Sequence, residues 1–215
     1  MVTYLDSGDL FQIRGLWGQV SGFTTNPSLM KASGITNYRE FAKLAHASSI
    51  EKPISFEVTT GEVYEQAHWL SSLGDNVFVK VPVTNDVLIK KLSSENVKIN
   101  VTAVMTLDQI RSVTRWLNPK VPAVLSIFCG RIADTGRDPI PFITEALRVK
   151  HATTKVLWAS TRELLNMKQA QAAGTDIITV SPELLRKTYL FGKDLLQYSY
   201  ETVKQFEDDS KGINW

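Results

Sequence analysis

Apolar and polar positions along the chain follow two alternating rhythms. Short runs rich in β-branched and apolar residues recur at 2–5, 20–23, 54–58, 77–81, 99–104, 121–128, 155–159 and 176–180, which predicts eight strands. Between most of them lie stretches whose apolar residues return every three or four positions, and these predict helices over 37–48, 62–73, 86–94, 107–117, 141–150 and 163–173. The links after the first two strands show no clear period.

Strand and helix in alternation predict a parallel sheet. With 215 residues, each of eight units receives about 27, near the lower limit for a closed barrel. The expected fold is therefore α/β, a single (β/α)₈ TIM barrel domain over 1–215. An open doubly wound sheet is less favoured, because no Gly-rich dinucleotide loop follows the first strand. Past the eighth strand, 182–187 and then 190–209 predict an extra C-terminal helical extension. Its Tyr189, Leu190, Phe191, Leu195, Leu196, Tyr198, Tyr200, Val203 and Phe206 exceed what a solvated tail needs. That surplus predicts docking on this barrel or on a neighbour.

Composition narrows the class. Hydrophobic residues make up 43% and charged residues 21%, as in ordinary soluble globular proteins. Lys and Arg number 24 against 22 Asp and Glu, a net charge of +2, so nucleic acid is not an expected partner. The one cysteine, Cys129, excludes an intramolecular disulfide or a thiolate cluster, and His46, His68 and His151 lack the spacing of a zinc site. No apolar run approaches the roughly 18 residues of a membrane span, and residues 1–6 lack the pattern of a signal peptide. These features predict a cytoplasmic enzyme without a metal site.

In a barrel of this kind the chemistry sits at the carboxyl ends of the strands. Several polar residues stand there: Asp6, Thr24, Asn26, Glu57, Lys80, Asn100, Thr102, Ser126, Ser160 and Arg162, with Phe128 preceding Gly130 and Arg131. Lys80 is the most informative, since Val79 and Val81 flank it and burial favours a free amine that attacks carbonyls. Alternatively, Lys80 is paired with Asp6 or Glu57 to balance charge alone. Asp6, followed by Ser7, Gly8 and Asp9, also fits a turn or helix cap. Glu57 inside an apolar strand needs a partner. Arg131 and Arg162 fit either a solvated surface or a shared grip on one phosphate.

The ordered motifs Tyr4-Leu5-Asp6, Gly22-Phe23-Thr24-Thr25-Asn26-Pro27-Ser28, Lys80-Val81-Pro82, Asn100-Val101-Thr102, Gly130-Arg131-Ile132, Ala159-Ser160-Thr161-Arg162 and Gly174-Thr175-Asp176 span the chain. In them the sequence resembles the transaldolase family, in its short-chain branch that also holds the fructose-6-phosphate aldolases. The resemblance implies a Schiff base on Lys80, with Asp6, Glu57 and Thr102 as its catalytic companions. It implies that Thr24, Asn26, Asn100, Ser126 and Phe128 contact the three-carbon unit, and that Arg131, Ser160 and Arg162 hold a phosphate. No metal or organic cofactor is implied. The implied substrates are small sugar phosphates, such as fructose 6-phosphate or sedoheptulose 7-phosphate, and the implied assembly is a homodecamer. Glu57 and Phe128 stand where the aldolases carry Gln and Tyr, which favours transfer over release of free dihydroxyacetone. A sulfonated ketose, and a catalytically silent sugar-phosphate-binding barrel, are the other readings.

Overall fold

The computed structural model describes residues 1–213. Strands β1 (Val2–Asp6), β2 (Gly22–Thr24), β3 (Ile54–Glu57), β4 (Val77–Pro82), β5 (Ile99–Val104), β6 (Ala123–Ile127), β7 (Thr154–Trp158) and β8 (Ile177–Val180) pair in parallel. They follow one another in chain order and β8 pairs back onto β1, so the barrel is closed. All eight strands lie where the apolar runs predict them. The sixth is shorter than expected, because Phe128 already leads into a helical turn.

Helix α1 (Leu10–Gly15) follows β1, and α2 (Pro27–Ala32) and α3 (Tyr38–Ser49) follow β2. Next come α4 (Val63–Ser71), α5 (Asp86–Ser94), α6 (Leu107–Trp116), α7 (Cys129–Ala133), α8 (Ile140–Val149) and α9 (Leu165–Ala172). After β8 lie α10 (Pro182–Arg186) and α11 (Leu195–Asp209). The six helices predicted between strands are all present. Helices α1, α2 and α7 escaped the periodic reading because five or six residues make under two turns and show no repeating face. Local caps set two of them. The Asp9 carboxylate accepts from the Phe11 amide at 2.7 Å, and the Asn26 side chain accepts from the Leu29 amide at 3.0 Å ahead of Pro27. Asp9, not Asp6, is thus the cap in the Asp6–Asp9 segment.

Two apolar layers hold the barrel. The larger lies between strands and helices, with Phe23, Phe41, Ile54, Phe56, Leu70, Ile89, Leu92, Ile110 and Trp158 almost wholly buried. The smaller fills the lumen with Tyr4, Val124, Leu157, Ala159 and Ile177, against which Phe78 and Phe128 pack. Gly22 makes room for it, since a Cβ there would fall 2.6 Å from the Tyr4 ring. The remaining lumen positions are polar, and they collect at the carboxyl ends of the strands.

The C-terminal helix begins later than predicted. Residues Lys187–Leu190 form a 3₁₀ turn, Gly192 takes a positive φ of 75°, and Asp194 caps α11 by accepting from the Gln197 amide at 2.8 Å. Helix α11 leaves its apolar side chains uncovered, with Leu195 80% and Phe206 65% exposed. It therefore does not bury them on its own barrel, one of the two alternatives its composition left open. Among the described residues no helix is long and apolar enough to cross a membrane.

Candidate active site

The strands' carboxyl ends open onto a cavity of about 520 Å³. Asp6, Thr24, Asn26, Glu57, Lys80, Thr102, Ser126, Phe128, Arg131, Ser160 and Arg162 all line it. Asn100 does not. It lies fully buried beneath the floor, donating to Ser55 Oγ at 3.0 Å and accepting from Ser126 Oγ at 2.7 Å. Both ends of its amide are thereby engaged by protein, so in this structure Asn100 orients Ser126 and has no direct face on the cavity. An interior strand position satisfies an amide this way because unpaired burial is costly.

Strand register brings the central pair together. Glu57 and Lys80 are direct partners across β3 and β4, and their side chains point into the lumen. Lys80 Nζ sits 2.9 Å from Glu57 Oε2 and donates to the Thr25 carbonyl at 3.1 Å. Lys80 is 5% exposed, and an unpaired ammonium at such a site would carry a penalty of several kcal/mol. The charge-balance alternative is thus realised in this structure. A carboxylate at 2.9 Å is close enough to exchange a proton with the amine.

Around this pair the backbone departs from regularity twice. The β5–β6 register slips by one residue between Val101 and Val104, and Ala103 has a φ of 59°. This bulge turns both Thr102 and Ala103 toward the cavity. The Thr102 hydroxyl is buried and has no hydrogen-bond partner among the described residues. On β7's far side Ser160 has a φ of 62°. Its carbonyl oxygen lies where a Cβ on residue 130 would stand, only 1.7 Å away, so Gly130 is what lets the two segments approach.

Asp6 faces the cavity from β1 and accepts from Thr24 Oγ1 at 2.7 Å. The surrounding protein strips most water from the carboxyl and raises its pKa above the ordinary aspartate value. The Lys80 charge and the Thr24 hydrogen bond pull it down, while Glu57 pushes it up, and burial dominates. Arg131 and Arg162 are exposed at the rim. Arg162 pairs with Asp134 at 2.6 Å, both about half exposed, and such a pair is worth about 0–1 kcal/mol. Breaking it is therefore cheap. Among the described residues no cluster of His, Cys, Asp or Glu is arranged to hold a metal ion.

Some site residues had escaped the sequence reading. The Tyr38 hydroxyl, half-buried on α3, donates to the Glu57 carbonyl at 2.7 Å and fixes the end of β3. Burial, and then the Glu57 charge, raise the Tyr38 pKa, so it remains a donor. Nothing in the sequence marks that contact. Thr179 and Ser181 line the cavity from the end of β8, and Thr179 carried the signal used elsewhere, a polar residue closing an apolar strand.

Comparison with known proteins assigns the family. A family model described as "Transaldolase/Fructose-6-phosphate aldolase" matches residues 3–214. The chain belongs to this family. A probable transaldolase of Thermoplasma acidophilum is 32% identical, with all of this chain and 97% of that protein covered. One from Chelativorans sp. is 34% identical over 86% of this chain and 88% of its own. The 3-hexulose-6-phosphate synthase structure from Salmonella typhimurium matches with a TM-score of 0.63 at 13% identity, covering 87% of this chain and 92% of that one. That likeness shows the barrel alone. Membership in the transaldolase family places the chain among enzymes and agrees with the resemblance carried by its motifs.

Two measurements test this description. A methyl at position 130 must displace backbone at the Ser160 turn, so Gly130→Ala is expected to lower stability by about 1–3 kcal/mol in urea unfolding. Wild-type stability would mean the approach is not tight. Asp6 holds its proton more firmly in the folded than in the unfolded chain, so its stabilising contribution is complete below the unfolded aspartate pKa and is lost as pH rises through the raised native value. Asp6→Asn, which keeps an acceptor for Thr24, is therefore expected to melt above wild type at neutral pH. The difference should close below about pH 4. Thermal melts across pH check the sign.

Proposed function

We propose that this protein is a transaldolase acting through a lysine Schiff base, moving a dihydroxyacetone unit from a ketose phosphate to an aldose phosphate in the cytoplasm. The observation that supports this most is the buried Lys80 amine, 2.9 Å from Glu57, on the floor of a cavity that Asp6 and the unpartnered Thr102 hydroxyl also face. In the proposed reaction Glu57 takes a proton from Lys80, and the free amine adds to the C2 carbonyl. A water held between Glu57 and Thr102 carries protons as the carbinolamine loses water to form the imine. Asp6 takes the C4 hydroxyl proton, the C3–C4 bond breaks, and its electron pair passes into the imine to give an enamine. The shortened aldose phosphate leaves, an acceptor aldehyde enters, and the steps run backward until water frees Lys80. The imine is itself the electron sink, so the scheme balances without a further cofactor.

Asn26 and Ser126 face the same cavity and would hold the hydroxyls of the three-carbon unit, with Asn100 steadying Ser126 and Thr24 steadying Asp6. Arg131, Ser160 and Arg162 would hold the phosphate, and Asp134 would give up Arg162 when the anion binds. Phe128 places an apolar ring at the cavity wall, where no phenolic proton is available to quench the enamine. This favours transfer over the aldolase reaction. The exposed apolar side of α11 supports a homo-oligomer in which a second copy covers it, a decamer by resemblance.

Borohydride reduction with fructose 6-phosphate is expected to leave an adduct on Lys80 in peptide mass mapping, and Lys80→Met to leave none. Turnover with erythrose 4-phosphate should exceed cleavage without it, and Asp6→Asn should lower kcat about 10²–10⁴-fold. An adduct elsewhere would overturn the lysine role, and cleavage equally fast without acceptor would make the protein an aldolase. For the assembly, light scattering at micromolar concentration is expected to give a mass several times that of one chain. A monomer there would reject the oligomer.

A further inference from the structure

Two buried hydroxyls and a half-buried carboxyl stand in a line whose far end, Thr179, has no part in the proposed reaction. Thr24 Oγ1 lies 2.7 Å from Asp6 Oδ1 and 2.6 Å from Thr179 Oγ1. Thr24 and Thr179 are 2% and 5% exposed, so water competes little for either hydroxyl. They come from β2 and β8, the two strands that flank β1, and their hydroxyls meet in front of the strand that carries Asp6. Thr179 is itself held in place, because the Thr161 hydroxyl donates to its carbonyl at 2.7 Å.

Hydrogen counting gives this line a direction. A threonine hydroxyl has one proton to donate. An ionised carboxylate only accepts, so with Asp6 ionised the Thr24 proton must lie on the Asp6 side. The contact with Thr179 then requires Thr179 to donate. We propose that Thr179 is a positioning residue for the reaction, donating to Thr24 so that the single Thr24 proton is committed to Asp6 and Asp6 is kept ready as a base. Resting on the transaldolase reading for the use of Asp6, this assigns Thr179 a role exerted through Thr24.

The chemistry makes such help necessary. Burial drives Asp6 toward its protonated form, which cannot accept the C4 hydroxyl proton. The charged groups facing it are Lys80 from β4, which opposes that drive, and Glu57 from β3, which adds to it. The Thr24 hydrogen bond opposes it too, and a hydroxyl that is itself receiving a hydrogen bond donates more strongly. Loss of the Thr179 hydroxyl removes that polarisation, so Thr24 donates to Asp6 more weakly.

The test reads Asp6 directly in the resting protein, by carbon-13 NMR of labelled aspartate carboxyls across pH, with Asp6→Asn assigning the signal. Thr24→Val is expected to raise the Asp6 midpoint by about one to two pH units, the worth of a hydrogen bond to a charged group. Thr179→Val should raise it by about 0.2–0.5 units, and Thr179→Ser should restore it. Because Thr179 acts through Thr24, the double variant should match Thr24→Val. The acid limb of kcat/KM should move in the same direction. A midpoint unmoved in Thr179→Val, or a double variant equal to the sum of the two singles, would overturn the proposal. Should the valine variant not fold, Thr179→Ala carries the same expectation. Failure of wild-type protein to form the borohydride adduct would instead count against the reaction, and the titration would still judge the hydrogen-bond line.

Discussion

The structure at the cavity depends on one desolvated ion pair. Lys80 and Glu57 are neighbours in strand register, so the pairing of β3 with β4 itself brings an ammonium and a carboxylate to 2.9 Å, with little exposure to water. Each alone would be too costly to bury, and together they are tolerated with the Thr25 carbonyl accepting a second hydrogen bond from the lysine. The second carboxyl, Asp6, feels both partners with opposite signs and is left with burial as the deciding influence.

Such a lumen is affordable because the fold is held elsewhere. The apolar layer between strands and helices surrounds the barrel, and the small lumen cluster around Tyr4, Leu157 and Ile177 closes its lower part. Polar residues can then occupy the upper lumen, each held by another, as Asn100 is by Ser55 and Ser126. The irregular backbone is concentrated at the same end. The β5 bulge aims Thr102, the positive φ of Ser160 sets the rim, and Gly130 permits the close approach that keeps Ser160 there.

Much of this was legible in the order of residues. Alternating apolar runs and three-to-four-residue periods located all eight strands and the six longer helices between them, since both patterns are set by which faces must be buried. Polar residues ending apolar strands named most of the cavity, because a barrel gathers its strand ends at one mouth. The short helices α1, α2 and α7 were not legible, their lengths being too small to repeat a face. Nor was the placement of Asn100, which alternation put on the same side as Thr102 but which depth within the lumen separated from it.

What the sequence by itself determined was the kind of barrel and the chemical types at its mouth, since these follow from local periodicity and from the presence of Lys80, Asp6 and Glu57 in apolar surroundings. Tertiary structure alone decided which partners those groups have. The 2.9 Å pair, the Tyr38 bond to the Glu57 carbonyl and the Thr179–Thr24–Asp6 line join residues far apart in the chain. Their distances are set by strand register and barrel closure, properties of all eight strands together that no single segment encodes.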